Sequence, residues 1–154
     1  MIHDKTIRVG ACDWDQPQWL QGFYPQDLPE DWRLSYYANE FSAVLVPQDK
    51  WQAEDADFEQ WAEDVAEGFG FYFLSDDLKA DDTQIKAELG NAFAGFVPID
   101  GNAEVGLINF ETKTLREWKE WLLMTKCSAL FLVDDELSAK SVLDFQSLVE
   151  LMGL

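Results

Sequence analysis

Short apolar runs alternate along the chain with stretches in which apolar residues recur every three or four positions. This alternation predicts strands and helices in turn. Thr6–Ala11 (TIRVGA), Phe41–Val46 (FSAVLV), Phe69–Leu74 (FGFYFL), Ala92–Val97 (AFAGFV), Glu104–Phe110 (EVGLINF) and Ser128–Val133 (SALFLV) read as strands. Pro47 ends the second, because proline cannot continue a ladder.

The helical stretches lie between them. Pro29 suits the first turn of a helix running to Phe41, with Trp32, Tyr36 and Tyr37 on one face. A second runs from about Asp55 to Glu67, capped by Asp55 or Asp57, striped by Phe58, Trp61 and Val65 and stopped near Gly68. A short one from Asp82 to Leu89 carries Ile85 and Leu89. Thr114 and Glu117 have the spacing of a capping box, opening a helix marked by Leu115, Trp118 and Leu122. Ser138 or Ser141 opens the last, which buries Val142, Phe145, Leu148 and Val149 and stops at Gly153.

Near-continuous apolar strands alternating with helices indicate a mostly parallel sheet covered on both faces. The 154 residues suffice for one domain, 1–154, with a real core. They fall short of the length of a complete eightfold barrel. The expected sheet is therefore open, incomplete, or completed by a second chain.

Composition narrows the chemistry. Eleven Lys and Arg against 30 Asp and Glu give a net charge of −19. Nucleic-acid binding rests on basic residues that displace counterions, so neither nucleic acid nor an anionic membrane is an expected partner. No run of apolar residues approaches a membrane span and no signal-peptide pattern opens the chain, so a cytoplasmic location is expected. His3 is the one histidine, and it precedes the first strand, which leaves Ser/His/Asp and Cys/His catalysis without a positioned imidazole. Cys12 and Cys127 form no metal-type pair and read as free thiols. No phosphate-cradling glycine loop is present.

The first half resembles the YecE-like family (domain of unknown function seventy-two). The resemblance is carried by Arg8-Val9-Gly10-Ala11-Cys12-Asp13-Trp14, then Trp19, then Phe23-Tyr24-Pro25, then Trp32, Tyr36 and Tyr37, with Phe58, Trp61, Gly68, Phe69 and Phe71 in order. Leu115–Leu154 resembles the family's closing helix-strand-helix, with Asp134-Asp135 where two asparagines are usual. Between about Asp76 and Gly101 the family's middle strands have no counterpart. The resemblance implies an α/β fold: an incomplete TIM-like (β/α) barrel of about six mostly parallel strands with flanking helices, in a shortened member.

The departures from the family bear on activity. The family usually carries Val-Glu-Ile-Asn on the second strand, where this chain has Val44-Leu45-Val46-Pro47, and a lysine where this chain has Leu74. At least part of any family activity is expected to be lost.

Ligands in parallel α/β folds sit beyond the carboxyl ends of the strands. Acids stand at nearly all of these ends: Asp13, Asp49, Asp76, Asp77, Asp100, Glu111, Asp134 and Asp135. Asp13, Asp134 and Asp135 are the candidate ligands for Mg²⁺ or Mn²⁺, which prefer oxygen. The opposing reading is that these acids cap turns and helices. Cys12, Trp14, Trp19, Tyr24 and Trp51 flank the first two strand ends and complete the set of cleft candidates, against the alternative that the aromatics only pack the first loop over the sheet.

The stretch 49–82 holds 12 acids and 2 bases, either as a solvated face or as a dock for a basic protein. The leading expectation is a non-catalytic binding or interaction module, with a homodimer as one way to cover an unfinished barrel. The rival is a divalent-metal-dependent hydrolase acting through the strand-end carboxylates.

Overall fold

The computed structural model describes residues 6–154. His3 lies outside the described residues. The six predicted strands are all present: β1 (Arg8–Ala11), β2 (Ala43–Val46), β3 (Gly70–Leu74), β4 (Phe93–Val97), β5 (Val105–Ile108) and β6 (Ala129–Leu132). Between them lie α1 (Arg33–Glu40), α2 (Gln48–Trp51), α3 (Phe58–Asp64), α4 (Thr83–Leu89) and α5 (Leu115–Met124), and α6 (Ala139–Leu151) follows β6.

The strands form two three-stranded sheets of order β1-β6-β5 and β2-β3-β4, and every pairing is parallel. The architecture is therefore α/β, two small parallel sheets with flanking helices.

The sheets meet where β1 runs beside β2, yet no regular ladder joins them. One bridge pairs Cys12 with Leu45, and the Asp13 amide donates to the Leu45 carbonyl at 2.8 Å. Lower in the seam, a side chain replaces the backbone bonds. The Tyr37 hydroxyl accepts from the Ala11 amide at 2.9 Å and donates to the Ala43 carbonyl at 2.7 Å. Gly10 permits this approach, since a Cβ there would lie 2.0 Å from the Ala43 oxygen.

Alternation along the strands divides the core in two. Outward-facing Val9, Val44, Phe71, Phe73, Leu130 and Leu132 join the large cluster under the helices. Ala43, Leu45, Tyr72, Val97, Val105, Ala129 and Phe131 form a second apolar cluster that draws on both sheets. The rings of Tyr72 and Phe131 meet across it at 5.1 Å.

No ladder joins β4 to β5, and their connection carries no helix. The chain passes from the carboxyl end of β4 to the start of β5 through residues 98–104, where an α/β crossover normally spends a dozen residues or more. Seven residues reach about 23 Å when extended, enough to run the length of a short strand. The connection lies against β5. The Asn102 side chain accepts from the Val105 amide at 2.8 Å and the Asn102 amide donates to the Val105 carbonyl at 2.9 Å.

Local signals held at several helix ends. Thr114 and Glu117 form the reciprocal capping box of α5, Asp57 caps α3, and Ser138 caps α6. Two apolar assignments need correction. Trp32 does not share a buried face with Tyr37: it is 63% exposed, while Tyr37 is fully buried. Glu30–Trp32 is a 3-10 turn, whose tighter winding rotates Trp32 away from the face that α-helical spacing would give it. Leu115 likewise points to solvent rather than marking the buried side of α5.

Candidate functional site

The carboxyl ends of β1 and β2 supply the polar groups. After β1 the chain turns sharply at Asp13, whose φ of 72° is left-handed. Aspartate tolerates this conformation because its short carboxylate bonds locally, here accepting the Asp15 amide at 3.1 Å. After β2, Pro47 breaks the strand and starts α2, which brings Lys50 over the same turn. The Lys50 ammonium donates to Asp13 Oδ1 at 2.7 Å and Asp15 Oδ2 at 2.6 Å, and lies 4.0 Å from the centre of the Trp14 ring. Arg33 adds a longer contact to Asp15 at 3.4 Å.

Beside this clasp opens a cleft of about 770 Å³. Trp14, Trp32 and Trp61 form its aromatic walls. Asp15, Glu30, Asp31, Asp55, Asp57 and Asp64 bring carboxylates, and Lys50 is the one cation in its lining among the described residues. That cation is already held by two carboxylates. A field of negative charge beside the exposed Trp32 indole suits an ammonium or guanidinium group.

The other aromatics named from the sequence serve the interior. Trp19 is buried, stacks on Tyr37 at 6.0 Å, and donates its indole N–H to the Leu137 carbonyl at 2.9 Å. Tyr24 is buried and donates its hydroxyl to the Trp14 carbonyl. Trp51 stacks on Phe73 at 5.4 Å and donates to the Leu74 carbonyl at 2.7 Å. In each case the polar tip of a large buried ring is satisfied by backbone. These residues hold the first loop and α2 onto the sheets, and Trp14 alone of the group faces the cleft.

Cys12 sits at the inner end of β1, packed against the smaller apolar cluster. Burial, followed by the charges of Asp13 and Asp49, pushes its thiol up to about 12. It is therefore protonated at neutral pH and a poor nucleophile.

At the carboxyl end of β6, Asp134 is engaged by backbone amides. Asp134 accepts the Phe110 amide at 2.8 Å and the Glu111 amide at 3.1 Å, fastening the end of β6 to the 3-10 turn after β5. Asp135 is exposed beside it. Among the described residues no three His, Cys, Asp or Glu side chains form a group suited to a metal ion. The candidate ligands Asp13, Asp134 and Asp135 are thus not brought together: Lys50 holds the first, and backbone amides hold the second.

Sequence reasoning missed Lys50 and the exposed Trp32. The signal for Lys50 was its place three residues past Pro47, where a helix restarted by proline returns over the strand end. For Trp32 the available signal was the Pro-Glu-Asp run before it, which favours a tight turn over a regular helix.

Parallel strands and crossover helices place the chain among α/β proteins. Residues 8–74 match the family described as Protein of unknown function DUF72. The match begins at the first residue of β1 and ends at the last of β3, so it contains Asp13, Lys50 and the whole of the cleft lining. No curated protein and no solved structure matches the chain. Among the described residues no helix is long and apolar enough to cross a membrane.

Proposed function

We propose that this chain is a non-catalytic binding module, derived from a YecE-like barrel interrupted between β4 and β5, whose cleft takes a Lys- or Arg-bearing segment of a partner protein. The observation that carries the reading is the Lys50 clasp. The protein holds its own ammonium between two carboxylates and an indole face. The same materials continue into the adjoining cleft, where Glu30, Asp31, Asp55 and Trp32 have no lining cation of their own beyond Lys50.

The inner face supports the absence of catalysis. The positions at which the resemblance implies a glutamate and a lysine are Leu45 and Leu74, both packed in the apolar inner cluster. The Cys12 thiol is kept protonated, and Asp13 and Asp134 are engaged in structural bonds. A metal-dependent hydrolase would need those carboxylates free and convergent.

The test is calorimetric titration with a lysine-rich peptide and an acidic peptide of equal length, at low and at moderate salt. Binding of the basic peptide alone, weakened by salt and reduced at least fivefold by Trp32→Ala, supports the cleft. Equal binding by wild type and Trp32→Ala would mean only general attraction to a chain of charge −19, and the reading would fall.

A further inference from the structure

Six of the seven tryptophans lie against another aromatic ring: Trp14, Trp19, Trp51, Trp61, Trp118 and Trp121. Trp32 is the exception. Among the described residues it makes no ring contact and its indole N–H finds no partner. It stands 63% exposed on the wall of the cleft beside Lys50. The carboxylates of that cleft fall into two groups. Asp15 is held by Lys50, Asp57 by the Gln60 amide and Asp64 by the Gln60 side chain. The side chains of Glu30, Asp31 and Asp55 are exposed and accept no hydrogen bond among the described residues. Glu30 and Asp31 share the 3-10 turn that ends in Trp32.

Lysine and arginine ask different things of such a wall. An ammonium is a compact, strongly hydrated charge, and it gives up water only where acceptors close around it. Lys50 shows that requirement met, with carboxylate oxygens at 2.7 and 2.6 Å. The free acids of the cleft do not repeat it. Among the described residues no three acidic side chains converge closely enough to hold a cation such as a metal ion. Single exposed pairs with a lysine contribute little. A guanidinium is flat and more weakly hydrated. Stacked on an indole, it keeps its N–H groups directed outward in its own plane, where they reach carboxylates that are spread rather than converged. An unoccupied indole face with separate, unpaired carboxylates in the same cleft has the form that arginine fits.

We infer that the cleft selects arginine over lysine, with Trp32 as the platform on which the guanidinium stacks and Glu30, Asp31 and Asp55 as the acceptors for its edge. This rests on the reading of the cleft as a dock for a basic segment, and it names the side chain that the dock prefers. The selectivity lies in Trp32 rather than in the charge. Net charge attracts both cations alike, whereas the stacked contact is available in full only to the planar one.

Calorimetric titration of the full chain with two peptides of equal length and charge, one carrying arginines and the other lysines, tests the inference. The expected result is about fivefold tighter binding of the arginine peptide to the wild type. Trp32→Ala weakens both peptides and brings their affinities within about twofold of each other. Trp32→Phe, which keeps a ring face, retains a preference for arginine. Circular dichroism confirms that these exposed substitutions leave the fold intact. Equal affinities in the wild type, or a preference undiminished in Trp32→Ala, overturn the inference. Equal affinities that both fall in Trp32→Ala remove the choice of arginine and leave the cleft as a basic dock. Binding of neither peptide removes the dock as well, so the two failures are read separately.

Discussion

The Tyr37 hydroxyl donates to the Ala43 carbonyl at 2.7 Å while accepting from the Ala11 amide, so a phenol stands in the seam where two strands would otherwise bond to each other. The two sheets are stitched by a side chain from the helix that connects them. Tyr37→Phe keeps the ring and its stacking on Trp19 but leaves a buried amide and a buried carbonyl unpaired. Removing both partners' satisfaction is expected to cost about 2–4 kcal/mol, read as a lower midpoint in urea with an unchanged slope.

Gly10 and Gly70 make a contrasting pair. A Cβ at Gly10 would meet the Ala43 backbone oxygen at 2.0 Å, and neither strand can retreat without opening the seam. A Cβ at Gly70 would meet the end of Arg8 at 2.2 Å, and that side chain can swing aside. The move surrenders hydrogen bonds from Arg8 to the Tyr72 hydroxyl and the Gly68 carbonyl. Gly10→Ala is expected to cost more than about 4 kcal/mol, and Gly70→Ala about 1–2 kcal/mol, measured by the same unfolding experiment.

Alkali should unfold the protein early. Burial raises the Cys12 thiol from 9.0 to about 12, and burial also raises the Tyr24 and Tyr37 phenols above their ordinary value. The unfolded chain therefore loses these protons first, which stabilises it relative to the fold. Stability from Cys12 is fully present below pH 9 and is lost as pH rises toward 12, at about 1.4 kcal/mol per pH unit for each proton of difference. The two phenols add to the slope above pH 10. The urea midpoint should begin to fall near pH 9, and in Cys12→Ala the fall should start about one unit higher, at the onset of the tyrosines.

Lys50 couples stability to charge in the cleft. Lys50→Met strips Asp13 and Asp15 of their shared cation. Because all three side chains are part-exposed, the loss is expected to be modest, about 1 kcal/mol. The cleft becomes more negative at the same time. A lysine-rich peptide should then bind severalfold more tightly to this less stable variant, an opposition that a simple folding defect would not produce.

Most of the fold was legible because it is written locally. Every strand of the structure lies within an apolar run, and the reciprocal contacts of Thr114 and Glu117 were visible as spacing alone. What escaped were relations between distant residues. Tyr37 looks like any helix aromatic until Gly10 and Ala43 are brought beside it, and the place of Lys50 just past Pro47 puts it over a strand end without saying that Asp13 and Asp15 wait there. The cleft aromatics illustrate the same limit. Trp14, Trp19, Tyr24 and Trp51 are alike in sequence and all are buried, and only packing separates the one that reaches the cleft wall from the three that do not. Trp32 was misplaced for a local reason, a 3-10 turn read as a full helical one.

The order of the strands dictates a schedule for synthesis. β2, β3 and β4 are consecutive, so their sheet can assemble as soon as Val97 is available. β1 pairs in its ladder with β6, roughly 120 residues later, a long-range closure of the kind that slows folding. At usual rates of elongation the ribosome takes on the order of ten seconds to make that interval. Through that time β1 is tied to the finished half by the Tyr37 phenol, the Leu45 bridge and the Arg8 bonds to Tyr72 and Gly68, with no ladder, and its other edge waits unpaired. The nascent chain thus carries an apolar strand edge until β6 emerges, and that wait is the stage at which a chaperone would find most to hold.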